Sequence, residues 1–445
     1  MRRRVPVLGI ATVLVIGASY LRWSPSAAHQ AAAAPNDAAL DFSATAGRAE
    51  TRRLVTEYER QAADTPTAAG LKFLAQLYLQ RGRLTGDVAA YGQARTALAQ
   101  AAALAPDDGE THTLLASVLA TTHDFARAAA DARVVLASSP DNMGAAAVLG
   151  DAQLELGDYD GARATYGRLA SLQADAAAVI VRQARLAFLT GRVEEARDLA
   201  RQAKVQAVAS AFGDAALAFY TTFQGQIEHD SGHYATAERY YRQALREAPG
   251  YYIALAGLAR ERAARGHAAD AITIYRQAVE ALPQPDALAA LGDLYRLGRD
   301  ESKARTEYET IGVIATLAAV NQQVYNRALA TYQADHDVHV DEALVLAEAE
   351  LAIRHDVYGY DIYAWALYKN HRYDEAKRAA VSALALGTPD ARLLYHAGMI
   401  DAARGDDAAA IDELHRALTI SPNFDPLHAP VARETLANLE RKTDR

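Results

Sequence analysis

His229 and His233 are four residues apart, the spacing at which one helix face can offer two imidazoles to a metal ion. Gly232 lies between them and interrupts the helix that would have to hold both, so the two read as a surface pair rather than a metal site. The run Asp335-His336-Asp337-Val338-His339 is richer in ligand types and is the one place where a metal-dependent binder or enzyme has a candidate. Its position in a turn makes a solvated polar loop the simpler reading. No Gly-Lys phosphate loop, Gly-x-Ser-x-Gly elbow or His-Glu-x-x-His occurs, and no carboxylate pair stands out as an acid and base couple. Cysteine is absent, which removes disulfides, thiolate nucleophiles and thiolate zinc sites. The expectation is a protein that is not an enzyme, with no catalytic residue, no metal and no cofactor.

The elements that carry these residues follow from composition and period. The chain has 445 residues and a formal charge of -9, and 51% of it is hydrophobic although aromatics make up only 7%. That balance reflects alanine, and it suits helices meeting through small side chains better than sheets of β-branched residues. The acidic total, with no long basic run past Arg4, argues against nucleic acid as the partner.

The amino terminus reads as an export signal or an anchor. Met1-Arg2-Arg3-Arg4 precedes an apolar stretch from Val5 to Leu21. Ser26-Ala27-Ala28 supplies small residues for cleavage before His29, whereas the length of the stretch and Arg22-Trp23 at its end suit a retained membrane helix. Both alternatives place the bulk of the chain outside the cytoplasmic membrane, in the periplasm or an equivalent space. Residues 29–44 are an Ala/Pro-rich linker with little to bury, and 45–67 form a leading helix.

From Ala68 to Phe424 the sequence repeats itself. Pro106 and Pro140, Pro249 and Pro283, Gly157 and Gly191, and Gly232 and Gly266 are each 34 residues apart. Ala162, Ala196, Ala237, Ala271 and Ala304 recur at matching points, with Tyr166, Tyr241, Tyr275 and Tyr308 four residues beyond four of them. Apolar residues spaced as Leu149, Ala152 and Leu156 make an amphipathic helix, which Gly157 ends; Asp158 or Asp160 caps the next. Gly150 and Ala162 let the two helices of a unit approach closely. Extra length around Leu84 to Tyr91 and between Lys204 and Asp214 interrupts the period, and the unit starting near Val324 is the weakest. Residues 425–445 supply a closing helix and tail, because the last apolar face of a stack has no neighbour.

This order of small, bulky, Gly, Ala, bulky and Pro positions resembles the tetratricopeptide repeat family. The resemblance covers nearly everything after the linker and implies an all-α, right-handed superhelical solenoid of nine to ten helix-turn-helix units over 68–424. It also implies that the first helices of the units line a concave groove where a protein or peptide partner binds. By register, the groove positions near the carboxyl end are Tyr358, Asp361, Trp365, Tyr368 and Lys369, followed by Arg392, Tyr395 and Met399. Spacings of three, four and three put Tyr358, Asp361, Trp365 and Tyr368 on one stripe, a mixture that suits peptide anchoring. The alternative is that these rings pack against the neighbouring helix. Phe219, Thr222, Gln226 and His229, beside Arg260, form a second, less aromatic candidate. The Lys and Asn positions with which some family members grip a terminal carboxylate are here Thr113, Ser117, Ala147, Asp151, Val181 and Arg185, so no such clamp is expected. The implied role is a scaffold or adaptor for envelope, secretion or membrane-complex assembly, attached to the membrane if the first 28 residues are retained. A purely structural spacer is the remaining alternative.

Overall fold

A computed structural model describes residues 46–85, 89–320 and 326–443. The signal or anchor (1–28), the linker (29–44) and the proposed start of a unit at Val324 lie outside the described residues, as does part of the Leu84–Tyr91 extension.

Every regular element among the described residues is a helix. α1 (Ala46–Asp64) leads, and ten hairpins follow it. They are α2 (Ala68–Thr85) with α3 (Ala89–Leu104), α4 (Gly109–Thr121) with α5 (Phe125–Ser138), and α6 (Met143–Glu155) with α7 (Tyr159–Leu172). Next come α8 (Ala177–Leu189) with α9 (Val193–Ala209), α10 (Asp214–Asp230) with α11 (Tyr234–Glu247), and α12 (Tyr252–Ala264) with α13 (Ala268–Ala281). α14 (Pro285–Leu297) with α15 (Glu301–Val320), α16 (Asn326–Asp335) with α17 (Val340–Ile353), α18 (Val357–Lys369) with α19 (Tyr373–Leu384), and α20 (Ala391–Arg404) with α21 (Asp407–Ile420) complete the series. α22 (His428–Thr443) closes it. The extra residues around Lys204 to Asp214 lengthen α9 and α10 to 17 residues each.

Local chemistry sets the boundaries. Asp158 is the residue that caps α7, accepting from the Gly161 amide at 2.9 Å, and Asp108, Asp124, Asp356, Asp390 and Asp406 cap their helices in the same way. Gly157 adopts φ +76° between α6 and α7. Small residues fix the spacing within a hairpin: a Cβ at Gly150 would come 2.4 Å from the Tyr166 ring, and Ala162 has no exposed surface. The same close approach recurs at Gly292 against Tyr308 and at Gly398 against Leu414. Each hairpin buries its apolar stripe against its neighbours, as where Ala259, Ala271 and Tyr275 meet Leu291 and Leu294.

The helices fall into two compact units that divide at Leu149 and Gly150, inside α6. In the first, α1 packs on α2 through the Tyr58 and Phe73 rings (4.6 Å), and Lys72 spans Asp108 (3.2 Å) and Glu110 (2.6 Å).

The second unit docks on itself. The Tyr159 hydroxyl accepts from the Val357 amide at 3.0 Å, and the Thr388 hydroxyl donates to the Leu189 carbonyl at 2.6 Å. Tyr234 shares a hydrogen bond with the Ser421 hydroxyl at 2.5 Å and accepts from the Asn423 amide at 3.2 Å. Arg354 lies 3.3 Å from Glu155. The hydrogen-bonded partners are 187 to 199 residues apart in sequence. They join the turns within the α6/α7, α8/α9 and α10/α11 hairpins to the connections that follow α17, α19 and α21. The solenoid of this unit therefore completes a turn and closes along a seam.

Candidate functional site

The first helices of the second unit face inward, and their charges sense one another across the turn. Asp230, at the end of α10, is held in a poorly hydrated position that pushes its carboxyl up to about 7, with Arg260 opposing the rise and Asp390, ahead of α20, adding to it. Asp286 on α14 is open to solvent, yet confinement raises its carboxyl against the pull of Arg392 on α20 and Arg260 on α12. Accessible surface and poor hydration coexist here because the side chain is surrounded by protein at a distance rather than covered by it. Arg392 is exposed; confinement would lower its pKa, but Asp390, Asp335, Asp361 and Asp425 together raise it. Charged groups at α10, α14 and α20 thus lie near enough to influence one another.

Ion pairs join successive first helices. Asp151 accepts from the Tyr166 hydroxyl at 2.9 Å and from Arg182 Nε and a terminal guanidinium nitrogen, both at 2.8 Å. Asp293 repeats the pattern four hairpins later, on α14, accepting from the Tyr308 hydroxyl at 2.7 Å and lying 2.6 Å from His336 Nε2. Near the seam, Glu155 is half-buried and poorly hydrated, which alone would raise its pKa, but Arg185, Arg354 and Arg327 hold it at about 2.

The stripe on α18 and α20 divides into two kinds of residue. Trp365 is 1% exposed and Tyr395 2% exposed, so both rings are core. Trp365 is stacked between Tyr368 (4.7 Å, 6°) and His396 (4.2 Å, 14°), and its Nε1 donates to Asp335 at 2.8 Å. Lys369 Nζ sits 4.8 Å from the Trp365 ring and 2.7 Å from Asp337. Tyr395 stacks on His428 at 5.3 Å, and Asp361 is buried against His396 Nδ1 at 2.9 Å. Tyr358, Tyr368, Lys369 and Met399 are half-buried, and Arg392 is open. The spacing carried no information on which rings the neighbouring helix would cover.

Two sequence expectations about histidine change. His229 is not a surface residue: it is buried and directly bonded through Nδ1 to Glu261, which has no exposed surface, while His233 is exposed and lies 2.8 Å from Glu228. Burial lowers the His229 pKa well below its usual value and raises Glu261 to about 8. In the second candidate stripe, Thr222 is likewise buried, whereas Gln226 is exposed. In the 335–339 turn, Asp335 accepts from Trp365, His336 turns to Asp293 and the Tyr332 carbonyl, and Asp337 meets Lys369. These side chains point to separate partners, and among the described residues no cluster of three or more His, Asp or Glu has the grouping a metal needs.

Sequence reasoning overlooked Asp230 and Asp286. A signal existed for Asp286, which is the second residue of its helix, the register position also held by Tyr358 and Arg392.

Tetratricopeptide repeat models match residues 228–308 and residues 91–142, 148–219 and 364–423, together more than half of the chain. No curated protein matches. Among solved structures, PilW, a widely conserved type IV pilus biogenesis factor, is 20% identical with a TM-score of 0.39, covering 46% of this chain and 93% of its own. Human IFIT1, as a dimer with PPP-AAAA, is 16% identical with a TM-score of 0.44, covering 84% and 87% respectively. Yeast Tom70 is 12% identical with a TM-score of 0.38, covering 90% and 96%. The chain belongs to the tetratricopeptide repeat family.

Proposed function

We propose that this protein is a non-catalytic scaffold that binds a protein or peptide partner on the concave face of residues 150–443, outside the cytoplasmic membrane, in support of envelope, secretion or membrane-complex assembly. The observation that supports binding is the convergence of accessible, oppositely charged side chains, Asp286 and Arg392 above all, from distant helices onto one internal surface. Preformed helices hold these groups in place, so a partner loses little of its binding energy to ordering the site. The placement outside the membrane rests on the arginines and apolar stretch of residues 1–21. No described helix is long and apolar enough to cross a membrane.

Crosslinking in intact cells tests the reading, comparing the native chain with Asp286→Arg plus Arg392→Glu. Both positions are exposed, so the fold persists and circular dichroism stays unchanged. The crosslinked partner is expected to be lost from the double variant; capture of the same partners in equal yield refutes the site.

A further inference from the structure

Three consecutive hairpins rest on three connections that belong to the next superhelical turn. The turn of α6/α7 meets the connection after α17, that of α8/α9 the one after α19, and that of α10/α11 the one after α21. Their bonded residues stand 198, 199 and 187 positions apart, so the three contacts follow from one superhelical register. The approach is backbone on backbone: a Cβ at Gly157, Gly191 or Gly232 would lie 2.4, 2.8 or 2.0 Å from the carbonyl oxygen of His355, Gly387 or Ile420. At the following hairpin, α12/α13, the series stops, and a Cβ at Gly266 would meet nothing within 4 Å.

Charged groups tie the first of these contacts to the hairpins on both sides. Glu155, at the end of α6, lies 2.7 Å from Arg185 on α8 and 3.3 Å from Arg354 after α17. Arg354 lies 3.4 Å from Glu350, and Arg327 reaches both Glu350 at 3.0 Å and Asp356 at 2.5 Å. Three arginines and three carboxylates thus alternate in one row that passes from one superhelical turn to the next. Arg354, Glu350 and Asp356 are buried, so each charge depends on its partners rather than on water. In an open array every hairpin touches only its neighbours in sequence, and a disturbance at one end dies away along the chain. From α20/α21 that route passes α18/α19, α16/α17, α14/α15 and α12/α13 before it reaches α10/α11. The seam makes α10/α11 an immediate neighbour of the end of α21 and leaves α14/α15 remote from it.

We propose that the seam couples the two ends of the 150–443 array directly, so that a change of stability in the last hairpin reaches α10/α11 across the seam and bypasses α14/α15, which is nearer in sequence. The array then behaves as a loop of interactions rather than a line. An event on α20/α21 alters the opening of α10/α11 without travelling through the hairpins between them. The coupling is a property of the fold and does not rest on what the concave face binds.

Amide hydrogen exchange on the full chain tests this with Leu418→Ala. Leu418 is half-buried on α21 and packs on the core that holds Leu414 and Ala417, so truncation loosens the last hairpin while leaving every seam residue in place. Exchange in α10 and α11 should accelerate roughly ten-fold, and exchange in α14 and α15 less than about two-fold. In a Gly232→Ala background, which parts the seam at α10/α11, Leu418→Ala should add nothing to exchange there. In a Gly266→Ala background, with the same left-handed angle in an open turn, its full effect should remain. Acceleration in α14 and α15 equal to or greater than that in α10 and α11 overturns the coupling. So does faster exchange in α21 that leaves α10 and α11 unchanged, or an effect on α10 and α11 that survives Gly232→Ala. Lys442→Ala, which frees the closing helix from Asp407 at 2.5 Å, perturbs the same hairpin more gently and should give the same order if Leu418→Ala unfolds the chain.

Discussion

Gly232→Ala isolates the energy of the seam because Gly266→Ala supplies its control. The two glycines have nearly the same backbone, φ +76° and +79°, in corresponding turns of adjacent hairpins. Alanine in left-handed backbone costs roughly 1–2 kcal/mol wherever it occurs, so both variants share that loss. At Gly266 nothing lies within 4 Å of the new methyl, and the loss ends there. At Gly232 the methyl would sit 2.0 Å from the Ile420 carbonyl oxygen, which is backbone and cannot swing aside. The connection after α21 must retreat, weakening the Tyr234 contacts to Ser421 and Asn423. Two hydrogen bonds at about 1 kcal/mol each raise the total loss for Gly232→Ala to about 3–4 kcal/mol. Because a solenoid can unfold in parts, a single global midpoint is a poor gauge. Amide hydrogen exchange is the suitable assay, read at Asn423 and Val357, whose amides donate across the seam to Tyr234 and Tyr159. Asn423 protection should fall sharply in Gly232→Ala and stay at the native level in Gly266→Ala. Equal protection in the two variants would refute the claim that the seam is a stabilising contact.

Glycine inside helices gives a second pair of opposite sign. Gly150→Ala drives a methyl to 2.4 Å from the buried Tyr166 ring, which is fixed by its bond to Asp151, and should destabilise by about 1–3 kcal/mol, whereas Gly167→Ala meets nothing and should stabilise by about 0.5–1 kcal/mol. Amide hydrogen exchange within α6 and α7 of both variants checks the signs, and a stabilising Gly150→Ala would contradict the packing argument. The His229–Glu261 pair gives a pH dependence. With His229 depressed and Glu261 raised to about 8, the folded pair holds one proton from acid pH up to about 8. In the unfolded chain Glu261 loses its proton near 4.5 and His229 near 6.5, so the pair's contribution is level between those values and declines as pH rises from 6.5 to 8. Asp230 and Glu413, raised to about 7, add declines that are complete by then. Glu261→Gln should therefore flatten the fall in melting temperature above pH 7, and an unchanged slope there would show that the pair does not hold its proton.

The sequence displayed whatever repeats and concealed whatever does not. Gly150, Ala162 and Tyr166 recur at one period because the two helices of a hairpin meet in the same way in unit after unit, so a repeated local rule is easy to see. The placement of Tyr358, Asp361 and Trp365 on one helix, α18, was legible for the same reason. Burial of Trp365 and Tyr395 was not, because it depends on His396, His428 and Asp335, which come from other helices and follow no period. The seam is further out of reach, since its partners are separated by nearly half the chain and its contacts are mostly backbone carbonyls, hydroxyls and hydrogen atoms on glycine. One trace of it does remain in the sequence. Where the turns touch, the left-handed residue is glycine three times in succession, while elsewhere it is His123, Arg299 or His371 as well as glycine. A side chain costs about 1–2 kcal/mol at that angle and is tolerated in open turns; against an opposing carbonyl it is not. Glycine at this register position is therefore necessary where the superhelix meets itself and optional where the turn is open, as at Gly266 and Gly405.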